Sequence, residues 1–424
     1  MSTPSLRLLS VLTASFIVVA ITIAPEANGT SMLGKTCTKV GAQTGDGPGR
    51  TVVCKKTGKK TIWQIMIMGG SLPKPGSTEN TNLPTPTISP TSTISPTPTC
   101  TSLPVFTDDF IDPKYVRGVA AIGGQTGSGG VIAVRSYIFP SNEFEGQKLP
   151  IYAPVAMTLT QASLYKLTSA SATYQPEYSL YFDVGCGISV KFFHIKGVVG
   201  NVAKVAPKVP VPSSAGQPVT PTKIAAGEQI GWYELGENSV AFDFWVDNQA
   251  HTNSFIVPSH FATSNYLHSV CPYDFYIPNK KAIWLAKLGG EDGNPVAGTD
   301  CGVVNQGLAG TADGMWFVSP DTKTDQLTWD GFYQSQIMLH TDPSGTIRIG
   351  GLNATQPIHQ MFINTGDTTW SKTTDITVGA SHCWSDAKQS VKVLLTTATT
   401  MSVVVGLGTC NALPDISTGK TYYR

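Results

Sequence analysis

Short runs of alternating apolar and polar residues recur along the chain beyond residue 105, broken by glycine and proline. In "YSLYFDVGCGISVKFFHIKGVV" and "FDFWVDN" the apolar positions are mostly β-branched or aromatic. A period of two with that composition predicts strands rather than helices. From residue 303 onward "QSQIMLHTD", "GTIRIGGL", "QSVKVLLTT" and "TMSVVVGLG" follow one another. Turn signals between them about every 10 to 15 residues suit a sandwich or small barrel. Residues 200–223 hold enough proline to read as a long surface loop. Nearer the start, "RTVVCKK" and "KTIWQIMI" flank the turn "TGK" and predict a hairpin. The stretch "SLPKPGSTENTNLPTPTISPTSTISPTPTCTSLP" has almost no apolar bulk, so it cannot collapse, and its prolines favour an extended stalk.

The expected organisation is mainly β. A leader over 1–29 precedes a small disulfide hairpin module over 30–70 and a Pro/Thr/Ser-rich linker over 71–104. A β-sheet core domain over 105–278 and a second β domain over 279–424 follow. The leader has Arg7 before an apolar stretch from Leu8 to Ala24, then the small residues Ala27 and Gly29. That pattern is an export signal, cut after Gly29 because Pro25 directly behind Ala24 disfavours the earlier site. An uncleaved membrane anchor is the alternative. The chain is therefore expected to be secreted or held at the cell surface.

Composition narrows the partners. Charged residues make up 13% of the 424 residues and the net charge is +1, which gives nucleic acid no electrostatic footing. Only the hairpin module is locally basic, with Lys35, Lys39, Arg50, Lys55, Lys56, Lys59 and Lys60 against Asp46. Membrane contact is expected only through this module or an uncleaved leader. Eight cysteines in an exported chain, none in a Cys-x-x-Cys, predict disulfides rather than a zinc ribbon. Cys37 with Cys54, and Cys383 with Cys410, are the expected pairs, each alone in its β segment. Cys100, Cys186, Cys271 and Cys301 are left without assigned partners. Phosphate-binding glycine loops, dinucleotide fingerprints, calcium loops and the esterase elbow are all missing.

Three stretches, "LPIYAPVAMTLTQASLY", "YSLYFDVGCGISVKFFHIKGVV" and "TKIAAGEQIGWYELGENSVAFDFWVDN", resemble in that order the core of the M23, lysostaphin-like peptidases. That core is the duplicated hybrid motif fold, and the resemblance spans about 110 residues, with "FFHIKG" on the strand that carries Tyr-x-His-Leu in the family. It implies a zinc site built from an early His-x-x-x-Asp and a late His-x-His. The early region here, "GGVIAVRSYIFPSNEFEG", has Arg135 and Ser136 but no histidine, and the late pair falls at Ala241-Phe242-Asp243. Asp243 is the one candidate metal ligand left and His194 the one candidate general base, too few for a zinc that must acidify water. The hairpin module resembles small basic Cys/Trp modules of exported actinobacterial proteins. "GMW" at 314–316 and the terminal Arg424 resemble the Gly-x-Trp and closing arginine of calycin barrels.

The expected function is that of an exported, non-catalytic binding protein of the cell envelope with a pseudo-peptidase core. His194, Asp243 and Asp247 are its candidate binding residues, Asp243 and Asp247 sharing one face of a strand. Cell-wall glycan or peptide, or an envelope protein, is the expected partner, and no cofactor is expected. One alternative is a zinc metallopeptidase with a rearranged site around His194, Asp243 and one of His251, His260 and His268. The spacing of those three histidines fits neither a helix face nor one side of a strand. The other alternative is a structural spacer whose β domains bind only each other.

Overall fold

A computed structural model describes residues 36, 43–45, 51–57, 60–65, 102–126, 131–166, 174–236, 239–261, 263–324, 335–351, 360–363, 370–386 and 388–424. The expected leader, Cys37 and nearly all of the Pro/Thr/Ser tract lie outside the described residues. The chain divides into two compact units, Met1–Pro84 and Thr85–Arg424. In the first, β1 (Gln43–Gly45), β2 (Thr51–Thr57) and β3 (Lys60–Ile65) form an antiparallel ribbon in which Cys54 stands opposite Trp63.

The second unit is mainly β. Its first half contains β4 (Val116–Ala120), β5 (Gln125–Thr126), β6 (Val131–Ile132), β7 (Ser136–Pro140), β8 (Leu149–Tyr152) and β9 (Met157–Tyr165). Next come β10 (Glu177–Gly185), β11 (Ile188–Ile195), β12 (Gly197–Val198), α1 (Gly200–Val205), β13 (Gln217–Ile224), β14 (Gln229–Tyr233) and β15 (Phe242–Asn248). Then follow α2 (Ser264–His268), β16 (Ser269–Val270), α3 (Pro278–Leu285) and β17 (Leu288–Gly289). A nine-stranded sheet runs β13-β9-β10-β11-β15-β7-β4-β17 with β16 paired to β15, while β12, β14 and β8 form a smaller sheet. Alternation sorts the two faces of the large sheet. Leu180 and Phe182 of β10, Val190 and Phe192 of β11, and Phe242, Phe244 and Val246 of β15 enter the apolar core. There Phe110 is stacked between Phe244 at 4.2 Å and Trp284 at 4.6 Å.

Residues 200–223, expected as one long loop, contain α1 and the edge strand β13, which pairs with β9. Proline misled the reading because Pro218 and Pro221 are tolerated at a sheet edge, where a missing N–H costs no ladder bond. The intervening turn lies over the second face of the sheet, its carbonyls accepting from Ser163, Ser179, Tyr181 and Tyr178. The sheet also reaches past the expected boundary at 278: α3 buries Trp284 beneath it, and β17 pairs in parallel with β4. A disulfide joins Cys271 to Cys301 across the same boundary.

The remaining strands are β18 (Gly314–Phe317), β19 (Gln336–Thr341), β20 (Ile347–Gly350), β21 (Gln360–Ile363), β22 (Ser381–Ser385), β23 (Gln389–Thr397), β24 (Thr400–Leu407) and β25 (Lys420–Tyr423). They form one antiparallel sheet, β21-β20-β19-β18-β25-β24-β23-β22, so the first and last strands of the series are neighbours. Side chains from both halves meet in one cluster around Trp316, Trp384, Leu339 and Val393. Arg424 lays its guanidinium 4.0 Å over the Trp316 ring and donates to the carbonyls of Leu308 and Asp313. Met315, Phe317 and Met338 point the other way, into the core of the first sheet. Cys383 is bonded to Cys410, and Cys186 is also disulfide-bonded. Among the described residues no helix is long and apolar enough to cross a membrane.

Candidate functional site

The site starts from an irregularity in β11. Phe193 stands opposite Asp243 of β15, and the pairing of β10 with β11 slips between Tyr178–Ile195 and Leu180–Phe192. His194 sits at the slip with φ of 64°. A left-handed backbone at a residue other than glycine is uncommon, and a bulge of this kind re-aims a side chain. Regular alternation would send His194 toward the core after Val190 and Phe192. The bulge turns it to the opposite face, where Glu177 and Asp243 lie.

Glu177 opens β10 and is fully buried. It accepts from His194 Nδ1 at 2.7 Å, from Tyr165 Oη at 3.3 Å, and from Tyr174 Oη and Lys196 Nζ. Burial works against ionising Glu177, but the imidazole, ammonium and phenol around it prevail and hold its carboxyl at about 2. Burial likewise works against a charged His194. Asp243 and Glu177 overcome it, with Arg135 opposing them, and the imidazole titrates above its ordinary 6.5. The His194 side chain remains 32% exposed.

Asp243 is the second carboxylate, its side chain 1% exposed. Arg135 Nε lies 2.6 Å from its Oδ2, a charge contact whose angle falls short of a hydrogen bond. Neither oxygen of Asp243 therefore accepts a hydrogen bond within the described residues. His194 Nε2 is 3.8 Å from Oδ2. Arg135, Lys196 and His194 thus face two carboxylates.

His194 lines a cavity of about 280 Å³ together with Tyr137, Phe139, Tyr174, Ser239, Val240, Ala241 and Glu291. A larger cavity of about 350 Å³ between the sheets shares Glu291 and includes Asp313, His340 and Asp342. Two of its acids are already engaged, Asp342 by Arg348 and Asp313 by Thr373 with His340 at 3.4 Å. The smaller cavity is lined by His194, whose Nε2 lies 3.8 Å from Asp243, and it is the stronger candidate.

Asp247 shares a face with Asp243 but not its surroundings. It is held by Lys191 at 2.6 Å, Trp245 Nε1 at 2.8 Å and Ser269 Oγ at 2.9 Å, which makes it a structural acceptor rather than a cavity residue. Lys191 and Arg135 flank the Trp245 ring between the two aspartates at 4.0 and 5.7 Å. Ser136 bonds Ala120 O and Tyr273 Oη. His251 contacts Asn253, His268 the carbonyl of His251, and His260 the carbonyl of Thr322, with its ring 4.3 Å from Phe317. These histidines have separate structural partners. The donor set around His194 does not suit zinc, which needs about three ligands at about 2 Å. A guanidinium already stands against Asp243, and Glu177 is taken up by His194, Lys196, Tyr165 and Tyr174. Among the described residues no group of three or more His, Cys, Asp or Glu is placed to hold a metal ion.

Glu177, Lys196, Tyr165 and Tyr174 went unnoticed in the sequence. The available signal was a glutamate opening an apolar strand, "EYSLYF", and a lysine two residues beyond the histidine. No protein-family model matches this chain, and neither the curated proteins nor the solved structures contain a match.

Proposed function

We propose that the chain is an exported, non-catalytic binding protein of the cell envelope. Its first sheet is a degenerate relative of the M23 core, and its ligand site is the cavity at His194. The observation that carries this reading is charge compensation: Arg135 at Asp243, and His194 with Lys196 at Glu177, supply from the protein the positive charge that a catalytic metal would otherwise bring. Asp243 and Glu177 favour the protonated form of the His194 imidazole, in which both ring nitrogens donate hydrogen bonds. Ser239, which lines the cavity, shares a 3.1 Å hydrogen bond with Tyr233 Oη. Support for the M23 relationship is that "FFHIKG" and "AFD" lie on adjacent strands, β11 and β15, and bring His194 within reach of Asp243.

The test is retention on insoluble cell-wall material with parallel metal analysis. Wild-type protein is expected to be retained, and His194→Gln to be released at lower salt. About one tightly held zinc per chain, with wall-peptide hydrolysis that disappears in His194→Ala, would overturn the reading in favour of a metallopeptidase. Retention unchanged in His194→Gln would move the binding surface elsewhere.

A further inference from the structure

A net charge of +1 conceals a division of charge along the chain. Of its 29 lysines and arginines and 28 acids, residues 30–70 hold seven basic residues and only Asp46, a net of +6. With Arg7 and Glu26 of the leader set aside, 21 basic residues and 26 acids remain over 71–424, a net of −5. Asymmetry of this kind points to an anionic partner for the basic part.

Strand register gathers the charge further. In the pairing of β2 with β3, Lys55 stands opposite Ile62, Lys56 opposite Thr61 and Thr57 opposite Lys60. Lys55 and Lys60 hold diagonal positions, about 7–8 Å apart, and Lys60 is exposed. Gly58 and Lys59 connect the two strands in the sequence. Neither the strands nor their connection contain an acid, so these like charges repel one another without a counter-charge in the hairpin. Lysines can guard a sheet edge, but Lys55 and Lys56 lie on β2, the central strand of the order β1-β2-β3.

The residues at the hairpin end narrow the partner. From Lys56 to Thr61 the sequence "KTGKKT" has no apolar residue, while Ile62, Trp63 and Ile65 follow farther back. A membrane anchor combines its lysines with aromatic and aliphatic groups that enter the bilayer. Single-stranded nucleic acid would add base stacking on aromatic rings. This end of the hairpin carries neither. Lysine presents a compact point charge that suits phosphate, and no arginine fork stands in either strand. We propose that the β2–β3 hairpin binds a linear polyanion with phosphate groups spaced along its backbone, independently of the cavity at His194.

The test titrates residues 30–424 with short-chain inorganic polyphosphate over a salt series. Phosphatidylglycerol vesicles and oligothymidylate at equal phosphate form the other arms. Polyphosphate should bind most tightly, and log affinity should fall with log salt by about 0.7 per phosphate engaged. Lys55→Gln, Lys56→Gln, Lys59→Gln and Lys60→Gln combined should weaken binding by about tenfold or more and flatten that slope, while arginine at the same four positions should preserve both. If the glutamine variant loses the ribbon, Lys60→Gln alone supplies the readout, with a slope smaller by about 0.7. His194→Gln should bind polyphosphate as the wild type does. Unchanged affinity and slope in the glutamine variants, or an equal loss in the arginine variant, would overturn the inference. Tighter binding to vesicles or to oligothymidylate would overturn it in favour of a membrane or a nucleic acid. Self-association at low salt that the glutamine variant abolishes, without polyphosphate binding, would assign the lysines to the acidic part of a second copy instead.

Discussion

At the scale of single residues, the buried charges around His194 are interdependent. Glu177→Gln would leave Lys196 without its counter-charge and His194 with Asp243 alone. It should cost about 3–5 kcal/mol in urea unfolding, the usual penalty for breaking a buried pair from one side. The pH dependence has two limbs. Glu177 titrates at about 2 in the folded chain against an ordinary 4.5, so its contribution is complete above about 4.5 and is lost as pH falls toward 2. That difference is worth up to about 3 kcal/mol. His194 titrates above its ordinary 6.5, so its contribution is complete below 6.5 and fades as pH rises through the higher folded value. Urea midpoints measured against pH for wild type and His194→Gln should therefore converge at alkaline pH and separate near pH 5. Parallel curves would contradict the assignment. His194 and Asp243 were legible as candidates from "FFHIKG" and "AFD", but Glu177 and Arg135 were not, because strand pairing brings them in from 17 and 108 residues away.

At the scale of elements, the bulge in β11 and the glycine crossings near β4 shape the molecule. The segments around Gly123 and Gly302 pass backbone against backbone. A Cβ on Gly123 would stand 1.9 Å from Val303 O, and one on Gly302 2.1 Å from Ile122 O. Both glycines have positive φ, 85° and 76°, so a side chain meets strain as well as collision. Gly302→Ala should destabilise by about 2–4 kcal/mol, more than the conformational penalty of about 1–2 alone. A thermal transition within one degree of wild type would refute this. The strands themselves were readable, since "VKFFHI" and "QSVKVLLTT" show the period of two. The bulge was not, because it depends on a register slip against β10. β13 was missed for a related reason: its prolines are permitted by its place at the edge, and no local pattern reveals an edge.

At the scale of the whole molecule, the region Thr85–Arg424 behaves as one compact unit, in which the first sheet needs residues beyond 278. Truncation to 105–278 would remove Trp284 and β17 and open the space between Phe110 and Tyr273. That fragment should lack a cooperative thermal transition, whereas a fragment ending near 424 should retain one. Cys271 and Cys301 enclose 30 residues across this junction, and the loop-entropy relation gives their bond about 3–4 kcal/mol. Cys271→Ser with Cys301→Ser should lower the urea midpoint accordingly.

The alternation of apolar residues and the turn signals between them determined by themselves that this chain would be β-rich, because strand faces and their turns are recorded locally. Trp316 and Arg424 show the limit of local patterns. Each is visible in the sequence, yet only the pairing of β18 with β25 brings them 4.0 Å apart. The same holds for the candidate site. Whether a lone histidine is core, ligand or binding group depends on the charges that distant strands carry to it. Here tertiary structure alone decided that two carboxylates, a guanidinium and an ammonium would surround His194.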